Sequence, residues 1–271
     1  MRAFICRTCG TQFAPSEVTP SECLICCDER QYVGPGGQTW TTLDEMRRSH
    51  FSKWRQHEPG LIGLGTSPDF AIGQRALLVR TDAGLVMWDC ISFIDEVAAE
   101  LVRALGGLRA IAISHPHYYG SMIEWSRAFG DVPVFLHAAD RQWVMRPDPA
   151  IRFWEGETLE IAPGLSLIHC GGHFEGATIL HWAQGAGGKG AVLSGDVLQV
   201  GPDRKLSFMR SYPNLIPLDR SSVQRIADVL DPWRFEAIYG AWFETVIPSG
   251  GKRVVAESVQ RYLRAISAPP R

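Results

Sequence analysis

The chain lacks any long apolar run. Nowhere in its 271 residues is there the stretch of roughly 18 hydrophobic residues that a membrane-crossing helix needs, which excludes a helical anchor. The opening MRAFICRTCG has no apolar segment behind it, so no secretory signal is read there and a cytoplasmic setting is expected. Neither sign of charge dominates. Lys plus Arg total 27 against 29 Asp plus Glu, a formal charge of -2, which argues against a nucleic-acid partner or an anionic membrane surface. Histidine is sparse: of 8 in the chain, none follows His181, so the last third can give no imidazole to a metal. Cysteine is odd in number, 7 in all, which excludes a complete set of intrachain disulfides.

The remaining composition is that of a globular protein, 45% hydrophobic and 21% charged, with ample material for a core. Residues Met1 to Arg30 are the exception, being rich in Cys, Thr, Ser and Pro and unable to build a core alone. Gly34-Pro35-Gly36-Gly37 reads as a turn or linker. The expected division is therefore a small segment over residues 1–36 and a large domain over 37–271. Within the latter, Ala76–Thr81 and Leu85–Asp89 read as a hairpin turning at Asp82-Ala83-Gly84. Asp95–Leu105 reads as a helix stopped by Gly106-Gly107. Further helices are predicted over 43–50, 121–129, 221–230 and 254–266. Strands are predicted over 110–114, 133–136, 158–161, 165–168, 178–182, 191–193 and 235–239. Strands interleaved with helices in this order predict an α/β protein with mixed sheets.

The cysteine-rich start carries the strongest single motif. Cys6-Arg-Thr-Cys9 and Cys23-Leu-Ile-Cys26 are two CxxC pairs, each able to present two sulfurs to one ion from a single turn. Cys6, Cys9, Cys23 and Cys26 would close a tetrahedral four-sulfur shell, although Cys27 could replace Cys26. The segment resembles a zinc ribbon and, less closely, a rubredoxin knuckle. Zinc is the expected ion, with iron second, and the role is structural because a closed shell leaves no position for substrate. A protein partner docking on the ribbon stays open.

A second constellation is spread along the chain. Ile111-Ala-Ile-Ser-His115-Pro-His117 puts two histidines just past a strand. Gly171-Gly172-His173 places a third at a corner, and Leu193-Ser-Gly195-Asp196 ends an apolar strand in Asp. Asp89 ends another strand upstream. In order and spacing these motifs resemble the metallo-β-lactamase family. The resemblance implies an αββα sandwich and a metal site of His115, His117, His173 and, as fourth ligand, Asp196. It leaves Asp89 structural.

The sequence departs from the family where a second metal would bind. Tyr119 and Gly120 stand in the places of an Asp and a His, and neither is an ordinary ligand at neutral pH. The matching C-terminal stretch, Ile238-Tyr-Gly-Ala-Trp242, holds no histidine. One ion, zinc or iron, is thus expected at the histidines. The implied activity is hydrolysis of a small-molecule ester, lactone, thioester or phosphoester, with Tyr119 donating a hydrogen bond to a developing oxyanion. The alternative is a degraded hydrolase that binds a ligand or partner without turnover, the ribbon serving as a docking module. His137, His169, His181, Cys90 and Cys170 are read as structural.

Overall fold

A computed structural model of the chain describes residues 1–267. The chain divides into two units, Met1–Trp154 and Glu155–Arg271. The first unit holds a seven-stranded sheet whose strands lie side by side in chain order: Phe51–Glu58, Leu61–Ser67, Ala76–Thr81, Gly84–Trp88, Leu108–Ala112, Val134–His137 and Ile151–Trp154. The first three pairings are antiparallel and the last three parallel. The expected hairpin is present, with Leu77 opposite Trp88 and Thr81 opposite Gly84. Val86, Met87 and Trp88 are buried in succession, as in a strand covered on both faces.

Helix Glu96–Ala104 links the fourth and fifth strands. The Asp95 carboxylate caps it by accepting from the Ala98 amide at 2.7 Å. Gly106 and Gly107 stop it at φ values of 120° and 74°. The cysteine-rich segment belongs to this unit. Its strand Ile5–Cys6 pairs with Trp40–Thr41, and Phe13, Trp40, Trp143 and Met145 pack against the buried cysteines. A segment too short of aliphatic residues to fold by itself thus takes its cover from later in the chain.

The second unit is built on a six-stranded sheet, Thr158–Ala162, Leu165–His169, Thr178–Trp182, Ala191–Gly195, Ala237–Gly240 and Val246–Ile247. All pairings are antiparallel except that of Ala191–Gly195 with Ala237–Gly240. Helices Arg220–Leu230 and Gly251–Ser267 accompany it. Each buries one stripe, Val223, Ile226 and Leu230 in the first and Val254, Val255, Ser258 and Val259 in the second.

The strands Phe51–Glu58 and Leu61–Ser67 were not expected. The first is an edge strand whose SKWRQHE residues are half-buried or exposed, so no apolar alternation marks it. The second is broken by Gly63 and Gly65. Helix 43–50 is shorter than predicted, ending at Met46. Among the described residues, no helix is long and apolar enough to cross a membrane.

Helix Arg220–Leu230 starts at Asp219, whose carboxylate accepts from the Ser222 amide at 3.0 Å and its hydroxyl at 2.7 Å, and from the Ser221 hydroxyl. The Ser221 and Ser222 hydroxyls hold this carboxyl well below the usual range. Replacing Asp219 by Ala should cost about 1 kcal/mol at pH 7, read by urea unfolding. Because the folded-state pKa is depressed, the contribution is present above the ordinary carboxylate range. It fades as pH falls toward the folded value, so the wild-type advantage should shrink there.

Candidate functional site

The four sulfurs of Cys6, Cys9, Cys23 and Cys26 are buried and lie within 4.8 Å of one another. Cys6 Sγ is 3.5 Å from Cys26 Sγ, and Cys9 Sγ is 3.6 Å from Cys23 Sγ. These separations are far longer than a disulfide bond of about 2.05 Å. They match the roughly 3.8 Å edge of a tetrahedron with metal–sulfur bonds of about 2.3 Å. Each knuckle is closed by its own backbone: the Gly10 amide donates to Cys6 O at 2.9 Å, and the Cys26 amide to Cys23 O at 2.9 Å. Gly10 sits at φ +83°. Cys27 is exposed, with its thiol 3.9 Å from Glu22, so Cys26 is the fourth member.

The set carries the electrostatics of a ligand shell. The neighbouring Cys23 and Cys26 thiols hold the Cys6 thiol far below its ordinary range, while Cys9 and Cys26 are pushed up. Without an ion, four crowded thiols cannot all ionise, and Cys6 takes the anionic character at the expense of Cys9 and Cys26. A divalent cation removes that conflict by letting every sulfur ionise. Gln38 Nε2 donates to Cys6 Sγ at 3.0 Å, a ligand-supporting contact with no signature in the sequence.

His115 and His117 occupy the single turn after strand Leu108–Ala112, with Pro116 fixing its first position. Asp89 braces the start of this turn. At φ 57°, its carboxylate accepts from the Ser114 amide at 2.8 Å and the Ser114 hydroxyl at 2.7 Å. Asp89 is thus a brace, as the resemblance implied. Tyr118, which sequence reasoning passed over, sets its buried ring 4.6 Å from that of His115, tilted by 53°.

His173 follows Gly171 and Gly172, both at positive φ. Its Nδ1 meets the Met209 carbonyl at 3.0 Å, which makes Nδ1 the protonated nitrogen and turns the Nε2 lone pair outward. Nε2 is 4.0 Å from Asp196 Oδ1. That is too long for a hydrogen bond, and longer than the roughly 3.4 Å between two donors on a tetrahedral ion with bonds of about 2.0–2.2 Å. The Tyr212 hydroxyl donates to the Asp196 carbonyl at 2.7 Å, and its ring lies 5.7 Å from His173. Met209 and Tyr212 are positioning groups that no motif announced. His115 and His117 are buried together on one turn of the first unit, and His173 and Asp196 are buried in the second.

No family model matches the chain. It is 45% identical over 271 residues to the Bacillus subtilis (strain 168) protein named "Uncharacterized protein YmaE", covering 99% of this chain and 98% of that one. The chain belongs to the YmaE family.

Solved structures supply the fold. The crystal structure of VMB-1 is similar with a TM-score of 0.61 at 14% identity, over 80% of this chain and 98% of that one. The DIM-1 metallo-β-lactamase gives 0.60 at 10% identity, over 78% and 97%. The FIM-1 metallo-β-lactamase from Pseudomonas aeruginosa, solved in its mono-zinc form, gives 0.58 at 13% identity, over 80% and 97%. This YmaE-family chain therefore has the metallo-β-lactamase fold.

Its second-metal ligands are missing, and the structure gives a reason that reaches beyond residue identity. Gly120 lies at φ +47°, and a Cβ there would come within 2.7 Å of the Ile91 backbone. No ligand side chain fits. Its carbonyl accepts from the Gln12 amide at 3.0 Å. Tyr119 is buried, and burial first, then the charge of Asp140, pushes its phenol well above the ordinary value. It lines a narrow gap with Thr11, Gln12, Met145 and Arg146.

The remaining candidates have structural partners. His137 Nδ1 accepts from the Ala139 amide at 3.3 Å, a cap. His181 Nε2 meets Arg234 O at 2.8 Å and His169 Nε2 meets Glu175 O at 2.8 Å. Cys90 and Cys170 are buried, and burial raises both thiols, Cys170 to about 12.

Gly120→Ala should destabilise the protein by roughly 2–4 kcal/mol, from positive-φ strain plus overpacking against backbone. Gly36→Ala, in open space without a positive φ, should be near neutral. Urea unfolding of both variants checks this, and equal midpoints would remove the steric account of the lost ligand.

Proposed function

We propose that this chain is a mononuclear metal-dependent hydrolase acting on a small-molecule ester, lactone, thioester or phosphoester. The ligands in this reading are His115, His117, His173 and Asp196, with zinc as the ion and iron as the second choice. The observation that carries it is the pair of buried imidazoles, His115 and His117, held on one braced turn in a fold shared with metallo-β-lactamases. The Nδ1 contact of His173 with Met209 O adds support, because a neutral imidazole with a committed tautomer is the form that ligates. Asp196 gives the set its anionic member.

When bound, the ion supplies Lewis acidity toward a carbonyl or phosphoryl group. The protein's own groups do the rest. The Asp89 brace and the Pro116 turn fix His115 and His117, and Met209 and Tyr212 fix His173 and Asp196. Tyr119 is assigned as hydrogen-bond donor to the developing oxyanion. The four-cysteine site is a structural zinc site in this reading. A reducing, cytoplasmic setting belongs to the proposal because four adjacent thiols must stay reduced.

Binding without turnover has one observation in its favour. The packing of Gly120 on Ile91 removes the place where the second metal's histidine would stand. A panel of ester, lactone, thioester and phosphodiester substrates separates the two readings. Turnover of one class should fall more than about 100-fold in His115→Ala and roughly 100-fold in Tyr119→Phe. Activity that survives His115→Ala would sink the hydrolase proposal. A compound that binds with metal dependence and is never cleaved would favour the binder. An unchanged rate in Tyr119→Phe would remove that residue's role alone.

A further inference from the structure

The segment that leaves the first cysteine knuckle does not end in solvent. Gly10, Thr11 and Gln12 run directly from Cys9 onto the loop that carries His115 and His117. The Ser92 hydroxyl donates to the Gly10 carbonyl at 2.6 Å, and the Ser92 carbonyl in turn accepts from the Ser121 hydroxyl at 2.7 Å. The Gln12 amide donates to the Gly120 carbonyl at 3.0 Å. The Gln12 side-chain oxygen accepts from Arg146, a guanidinium only 4% exposed. Arg146 also pairs at 2.6 Å with Glu124, on the helix Met122–Ala128 that the loop enters. The Ala14 amide donates to Met145 O at 3.1 Å. Residues 118–124 are thus held from the ribbon side at three points, Ser121, Gly120 and Glu124.

The same segment is shaped by the cysteine site. The Cys6 amide donates to Thr11 O at 3.0 Å and the Gly10 amide to Cys6 O at 2.9 Å, so the course of residues 10–12 is set by the knuckle. Four thiols within 4.8 Å of one another hold that course firmly only when an ion neutralises them. Gly120 transmits any movement, because the space beside it is so small that a Cβ there would come within 2.7 Å of the Ile91 backbone. Between it and His117 stand only Tyr118 and Tyr119, and the Tyr118 carbonyl is itself fixed by the Cys90 amide at 3.1 Å.

We propose that the Gly10–Gln12 segment is a positioning device for the histidine loop, so that filling of the four-cysteine site sets how firmly His115 and His117 hold their own ion. The second half of this statement rests on the mononuclear reading above; the first half does not.

The test uses the full chain loaded with cobalt(II), whose thiolate charge-transfer bands report the cysteine site and whose weaker visible bands report the histidine site. Hydrogen exchange is followed over residues 117–121 before and after a thiol-directed mercurial ejects the cysteine-bound ion. Strand Thr178–Trp182 serves as reference. Exchange over 117–121 should rise at least about tenfold, the worth of one buried hydrogen bond, while the reference strand is unchanged. Exchange that does not change, or that rises equally in the reference strand, would overturn the positioning role.

Ser92→Ala removes the hydroxyl that ties the Gly10 carbonyl to the Ser121 anchor, without touching a cysteine. It should leave the thiolate bands intact and weaken cobalt binding at the histidines about tenfold. Unchanged affinity would overturn the link between the sites. Should the wild-type chain take no cobalt at its histidines, the mononuclear reading fails. The exchange experiment still decides the positioning role.

Discussion

The contact on which the candidate site depends is the meeting of Gly120 with the backbone of Ile91. There is no room at that point for a Cβ. The missing Cβ lets the Gly120 backbone pack on that of Ile91, and the next amide, of Ser121, donates to the Ile91 carbonyl at 3.2 Å, which fixes the end of the histidine loop. The loop begins under comparable control, at the Asp89 carboxylate that takes two hydrogen bonds from Ser114. Five residues between two fixed points, Ser114 and Gly120, leave His115 and His117 little freedom. What the chain gains in order it gives up in ligands, since the position that would hold a second-metal histidine is the one that must be glycine.

His173 and Asp196, in the second unit, are fixed by different means. His173 is oriented by the Met209 carbonyl, and Asp196 by the Tyr212 hydroxyl on its own carbonyl. Burial of Tyr212, reinforced by the Asp196 charge, pushes its phenol well above the ordinary value, which keeps it a donor. The cysteine group shows the same economy. A segment poor in aliphatic residues folds because four sulfurs converge and four later or neighbouring apolar side chains, Phe13, Trp40, Trp143 and Met145, close over them.

Much of this was legible in the sequence. The CxxC spacing led to the four cysteines, and strand-ending His and Asp residues in order led to the metallo-β-lactamase fold. Both signals are local and chemically specific. The choice of Cys26 over Cys27 was legible as well, since only Cys26 keeps the two-residue spacing of the first knuckle, and Cys26 is the one in the buried group. Strand Phe51–Glu58 was hidden because an edge strand buries too little to leave an apolar alternation. Gln38, Tyr118, Met209 and Tyr212 were missed for another reason. Each acts through a backbone carbonyl, a ring face or a single long-range hydrogen bond, and such contacts impose no spacing on the chain. The absence of the second ligand could be read from Gly120 as a letter, but the reason it must be glycine needed Ile91 beside it in space.

The central claim is that this metallo-β-lactamase-fold chain holds one ion at four cysteines and one at three histidines with Asp196. Elemental analysis of protein purified without added metal tests it most directly. The account predicts two equivalents of metal per chain, falling to one when Cys6 and Cys23 are both replaced by Ser. A single equivalent that vanishes with those substitutions would contradict it, because the histidines would then hold nothing.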